Sequence, residues 1–282
     1  MAKRFRLVRD RQGLTFLLTS PLVILLIGPA STAGQGRAIG YAAEQLDCVR
    51  FSEFAETDIL TEAGGRIRRQ TSRRSGIWQF RARVSADGVM LEGWLDSLTI
   101  SRRSDETVIS PDTDGLLGGR YRGTLSRTGE YASSATPFVP EDVAEVAEMH
   151  NALDDIFPPL PSRALREGES WTDSLGVTVT RLADSSSSGV RLQRFGLKRR
   201  EQVQVAPGVA DTLPLELQQT SEEHGHFVWH PLHGLVRRQR TVGVETTVPP
   251  SRTVRQAVRS EVEQRITLVR DLRRQACPPS GG

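Results

Sequence analysis

The sequence predicts a mainly β protein: long antiparallel strands in a curved sheet or open half-barrel, with one central amphipathic helix packed on it. Two observations carry this. Trp78, Phe80, Ala82 and Val84 alternate with Gln79, Arg81 and Arg83, the period of a half-buried strand. Strand patterns and hairpin turns both precede and follow a single helical stripe, without the βαβ rhythm of a parallel sheet.

In order, Cys48 to Leu60 carries Val49, Phe51 and Phe54 and reads as the first strand. Ala63-Gly64-Gly65 is a turn, and Asp87-Gly88 is hairpin chemistry because both residues tolerate positive φ. The return strand runs from Val89 to about Arg103, with Leu91 and Leu95 on one face and Trp94, Leu98 and Ile100 on the other. Tyr121 to Tyr131 is a hairpin around Thr128-Gly129. Pro140 then suits a helix start, Glu141, Asp142 and Glu145 favour its positive end, and Val143, Val146, Ala147, His150, Leu153 and Phe157 form one stripe. Pro158, Pro159 and Pro161 stop it. Beyond Trp171, strands are expected at 176–180, 190–205, 213–222, 226–230 and 235–248. Thr253 to Leu272 fits either period; its β-rich context favours a long strand.

The formal charge of +3 belongs to the start of the chain. Residues 1–33 hold five basic residues and one acidic, leaving the remainder at −1, which argues against nucleic acid as a partner. The same stretch has the form of a secretory signal: a basic start, an apolar run from Leu14 to Ile27, then small residues with Ser31 and Ala33 in the small-x-small pattern. A retained anchor is the alternative, but the run is broken by Thr19, Ser20 and Pro21 and falls short of the span of about 20 residues a membrane needs. The expected organisation is a signal peptide over 1–33, one β-rich domain over 34–277, and a disordered tail over 278–282. Within the domain, halves at about 44–135 and 169–277 are joined by helix 140–157 and a Pro-rich linker. Export through the general secretory route would place the protein in the periplasm or outside the cell, without a lipid anchor, since no Cys follows the cleavage site.

In an oxidising compartment Cys48 and Cys277 are expected to pair, setting the first and last strands side by side; two buried thiols are the alternative. Four of the five histidines fall between His224 and His233. On a strand His224, His226 and His230 share a face, so zinc is a candidate ligand, against the reading of a His-rich surface hairpin. No G-x-S-x-G elbow, phosphate loop or dinucleotide fingerprint is present. The Arg pairs, such as Arg73-Arg74, Arg237-Arg238 and Arg273-Arg274, straddle both faces of their strands and read as solvated edges.

The helix followed by Pro158–Pro161 (P-P-L-P) and Gly168–Trp171 (G-E-S-W) resembles a class of exported bacterial β-rich proteins of unknown function. In architecture the chain is also similar to periplasmic lipoprotein carriers, curved sheets that hold an acyl chain beneath helices. That resemblance implies an apolar or amphiphilic, lipid-like ligand between helix and sheet, faced by Val143, Val146, His150, Leu153, Trp78 and Phe80, with no cofactor. An envelope scaffold without a small ligand is the second reading, and a metal-dependent hydrolase built on the histidines the third.

Overall fold

The computed structural model describes residues 38–86, 88–105, 107–205, 217–248 and 262–276. The expected signal peptide, the expected cleavage site, Cys277 and the tail lie outside them, as does the first half of the ambiguous segment at 253–272.

A short helix α1 (Ala43–Leu46) precedes β1 (Val49–Ala63), β2 (Arg66–Ser85), β3 (Gly88–Ser104), β4 (Thr107–Ile109), β5 (Tyr121–Leu125) and β6 (Tyr131–Ala135). After α2 (Glu141–Ala144) come β7 (Ser170–Thr172), β8 (Thr178–Ser187), β9 (Val190–Val205), β10 (Leu217–His230), β11 (Gly234–Val248) and β12 (Val262–Gln275). All twelve strands join one antiparallel sheet, ordered β6-β5-β3-β2-β1-β12-β11-β10-β9-β8-β7, with β4 beside β3. The described strands begin at the centre with β1, meander to one edge, cross to the other edge along residues 136–169, and meander back. First and last described strands are therefore neighbours, with Arg50 opposite Gln275. The segment left ambiguous by its sequence is a strand from Val262 onward.

Gly64 and Gly65 both have positive φ (59° and 75°), which sets the twist of the β1–β2 hairpin. A bulge in β3 corrects the expected facing of that strand. Trp78 pairs with Leu95 but Ile77 with Ser97, so Asp96 is the extra residue. The shift turns Leu91, Leu95, Leu98 and Ile100 all inward and leaves Trp94 on the outer face, stacked under the Arg120 guanidinium 3.8 Å from its ring centre.

The central amphipathic helix is also corrected: α2 is four residues long. Amide-to-carbonyl bonds of helical span end at Ala147, and three-residue turns follow at Ala152, Asp154 and Ile156. The physical reason lies in the sheet beneath. Carbonyls of Glu145, Glu148, Met149, Ala152, Asp155 and Pro158 accept hydrogen bonds from Arg102, Arg74, Tyr121, Arg270, Arg238 and Tyr41. Glu148 caps the break by accepting from the amides of His150 and Asn151. Side chains of the sheet, and Tyr41 ahead of α1, thus take the acceptors that a helix would use itself. The apolar stripe still packs down: Val143, Val146, Met149, Leu153, Ile156, Phe157 and Leu160 are buried against Phe51, Trp78, Phe80, Phe227 and Trp229. We call residues 137–161 the cover.

Candidate functional site

The strands outrun the cover. On β1 the inward positions are Val49, Phe51, Glu53, Ala55, Thr57 and Ile59, and burial falls along that series. Where the cover ends over β1, β2 and β12, an open groove of about 650 Å³ begins. Its floor is Ala55, Thr57, Ile59, Gln70, Ser72 and Leu268, and its wall is Ala144, Val146, Ala147, Asn151 and Ala152 of the cover. Arg73, Arg74 and Arg270 line it as well, with the acidic Glu145, Glu148, Asp154 and Asp155 of the cover.

Arg74 and Arg270 belong to a buried ionic network, and the register explains it. Ala55 lies opposite Arg74 on one side and Arg270 on the other. Its small side chain lets both guanidiniums lean over it toward Glu53, two positions along on the same face. The Glu53 carboxylate meets Arg74 Nη2 at 2.6 Å and Arg270 Nε at 2.6 Å, and accepts from Trp78 Nε1 at 2.7 Å. Burial alone would raise the Glu53 pKa; the Arg270 and Arg74 charges, with the bonds from Trp78 and Arg74, outweigh it and hold the pKa at about 2.

The second half repeats the device. Arg240 lies opposite Gly225, with Glu223 two positions along, and its guanidinium reaches Glu223 at 2.8 Å and Asp155 of the cover at 2.7 Å. Arg238, 4% exposed, gives its Nη1 to the Asp155 carbonyl and lies 4.0 Å from Glu223. Burial lowers its pKa to about 10, helped by Arg240 and Arg270. Asp155 is held below the ordinary carboxylate range because Arg240, Arg270 and Arg238 outweigh its burial. The reading of the Arg pairs as solvated edges is therefore corrected. Arg73 and Arg237 do face outward, but Arg74, Arg238 and, in part, Arg274 turn into the molecule.

Of the residues expected to face a ligand, Trp78, Phe80, Val143 and Leu153 are at most 1% exposed and fill the core between sheet and cover. Trp78 packs edge-on to Tyr121 at 5.3 Å and Phe80 to Phe157 at 5.7 Å. Val146 does line the groove, while His150 is exposed on the cover and is not among the groove residues.

His224, His226 and His230 lie on β10 with even parity, opposite to the buried Phe227 and Trp229. The structure does not gather them: among the described residues no group of three or more His, Cys, Asp or Glu is placed to hold a metal ion. Burial, then the charges of Arg237 and Arg194, lowers the His226 pKa, and a bound cation would meet the same repulsion.

Sequence reasoning missed the inward charges. A signal existed: Glu53 shares the parity of Val49 and Phe51, and Arg270 that of Leu268 and Leu272. A charged residue on an apolar face announces a buried partner.

No protein-family model matches this chain, and no curated protein matches it. Four chains among solved structures match it. One is a structure described as "Lipid-protein interactions in lipovitellin", with a TM-score of 0.45 and 9% sequence identity over 84% of this chain. The match covers 26% of that much longer chain, and a likeness of this order bears on neither ligand nor activity.

Proposed function

We propose that the protein is a binding protein whose inner sheet face, in the groove beyond the cover, holds an apolar or amphiphilic ligand. The observation that carries this reading is the groove itself. Ala55, Ile59, Leu268, Val146, Ala147 and Ala152 offer an apolar strip, while Thr57, Gln70, Ser72 and Asn151, with the charged side chains at its margin, offer hydrogen bonds to a polar end. Binding is favoured over catalysis because the buried carboxylates Glu53 and Glu223 are engaged by arginines, which leaves neither as a free general base.

The test is titration with a dansyl-labelled medium-chain fatty acid, followed by fluorescence. Saturable binding is expected in the wild type and at least tenfold weaker binding in Leu268→Arg, whose guanidinium would fill the groove, with an unchanged melting temperature. Equal binding by both proteins, or none by either, rules the groove out. In the second case the scaffold reading leads, and edge strand β6 is where it would start: Tyr131–Ala135 is uncharged and mostly exposed, and lacks the charges that usually blunt an edge.

The leader supports a proposal of export, and the β1–β12 ladder supports the proposed Cys48–Cys277 bond. Arg50 faces Gln275 and Phe51 faces Arg274, so the described ladder ends two residues short of each cysteine. A mature mass beginning at Gly34 and short by two hydrogens is the expected result from protein made in a bacterial periplasm. A full-length mass with two alkylatable thiols overturns both.

A further inference from the structure

The turn joining β10 to β11 is built around one imidazole. His230 Nδ1 accepts hydrogen bonds from the backbone amides of Leu232 at 3.0 Å and His233 at 3.1 Å. A nitrogen that accepts from two N–H groups carries no proton, so the turn requires neutral imidazole with its hydrogen on Nε2. Protonation would aim a third N–H at the two donors and break both bonds.

This turn is also a junction. The His233 ring lies on that of His230, centroids 4.3 Å apart. Arg274, near the end of β12, donates to the His233 carbonyl and, at 3.0 Å, to the carbonyl of Gln45 in α1. Gly234, at φ 73°, has the Gln45 side chain where a Cβ would stand, 3.0 Å away. Turn, α1 and β12 therefore meet at His233 and Gly234, next to the His230 ring, and the turn cannot change shape without moving Gln45 and Arg274.

We infer that this junction is an acid-sensitive latch, with His230 as the group that opens it. The groups that face His230 are His233 of the turn and Arg274 of β12, both of which oppose a positive charge there. Burial comes first among the causes that keep His230 below the ordinary imidazole range, so the latch is closed at neutral pH and opens below it. Opening frees the Leu232 and His233 amides and takes one of the two carbonyls from Arg274, which loosens α1 from the strand ends.

The test is side-chain and backbone nitrogen NMR on the whole chain from pH 8 to pH 4. Expected are the Nε2–H tautomer of His230 at neutral pH and a loss of exchange protection at Leu232 and His233, by roughly tenfold, in step with His230 titration. His230→Asn keeps an acceptor that reaches the same amides but does not titrate, so its amides stay protected at acid pH. Protection that survives titration of His230 in the wild type overturns the inference, as does the Nδ1–H tautomer at neutral pH. The wild-type measurement decides even if the variant does not fold.

Discussion

Glu53 shows how one residue fixes its surroundings. A carboxylate this deep is tolerable only because two guanidiniums and an indole N–H surround it, and the two guanidiniums in turn take their counter-charge from it. Glu53→Gln keeps the shape but leaves Arg74 and Arg270 buried without their counter-charge, and is expected to cost about 3–5 kcal/mol in urea unfolding. The pH dependence follows from the sign of the shift. With a folded pKa of about 2 against an ordinary 4.5, Glu53 stabilises the fold fully above the higher value and loses that contribution as pH falls toward the lower. Wild-type stability should therefore fall more steeply than that of Glu53→Gln across this window. Parity in the sequence places Glu53 on the inner face. What parity could not supply was the partner, since Arg74 and Arg270 arrive from strands whose pairing depends on the whole topology.

At the scale of elements, strands were legible and the helix was not. Alternation over Trp78–Val84 is a local property, so β2 and its turns are written in adjacent residues, although Val84, beyond the edge of the core, is exposed where the alternation set it inward. The cover has a good helical stripe, but its carbonyls are claimed by arginines and tyrosines that its own sequence does not mention. The stripe nevertheless foretold burial at Val143, Val146, Leu153 and Phe157, because i, i+3 and i+4 spacing also selects one side of a run of turns, but it missed Met149 and Ile156 and wrongly included the exposed His150. Leu153→Ala, deep under the cover, should cost about 2–5 kcal/mol in the same unfolding assay. Gly225→Ala tests strand register. The new Cβ would stand 2.3 Å from the Gln239 carbonyl oxygen, so the backbone must shift, with a loss of about 1–3 kcal/mol. A neutral result at Gly225 would show that β10 and β11 can separate there without penalty.

For the molecule as a whole, the sequence disclosed that two β-rich halves flank a crossing segment, and the crossing dictates the rest. Each half is a simple meander that could be drawn from turn positions alone. The seam between them could not; only the two distant cysteines hinted that the first and last strands lie side by side, as β1 and β12 do, with Ser52 bonded to the carbonyl of Arg273, 221 residues away. That seam has a consequence in time. A chain that emerges N-terminus first presents β1 early, with β2 on one side and nothing on the other until the last strand arrives. For most of its emergence the protein is a half-sheet with an open edge, which is slow to close and prone to adopt the wrong partner. Ending the chain before Val262 should therefore yield two unpaired edges, on β1 and β11, and a product that sediments as aggregate, whereas the full chain sediments as a discrete species. Assembly of the complete sheet waits on β12, and whatever shields the β1 edge in the interval would limit mispairing.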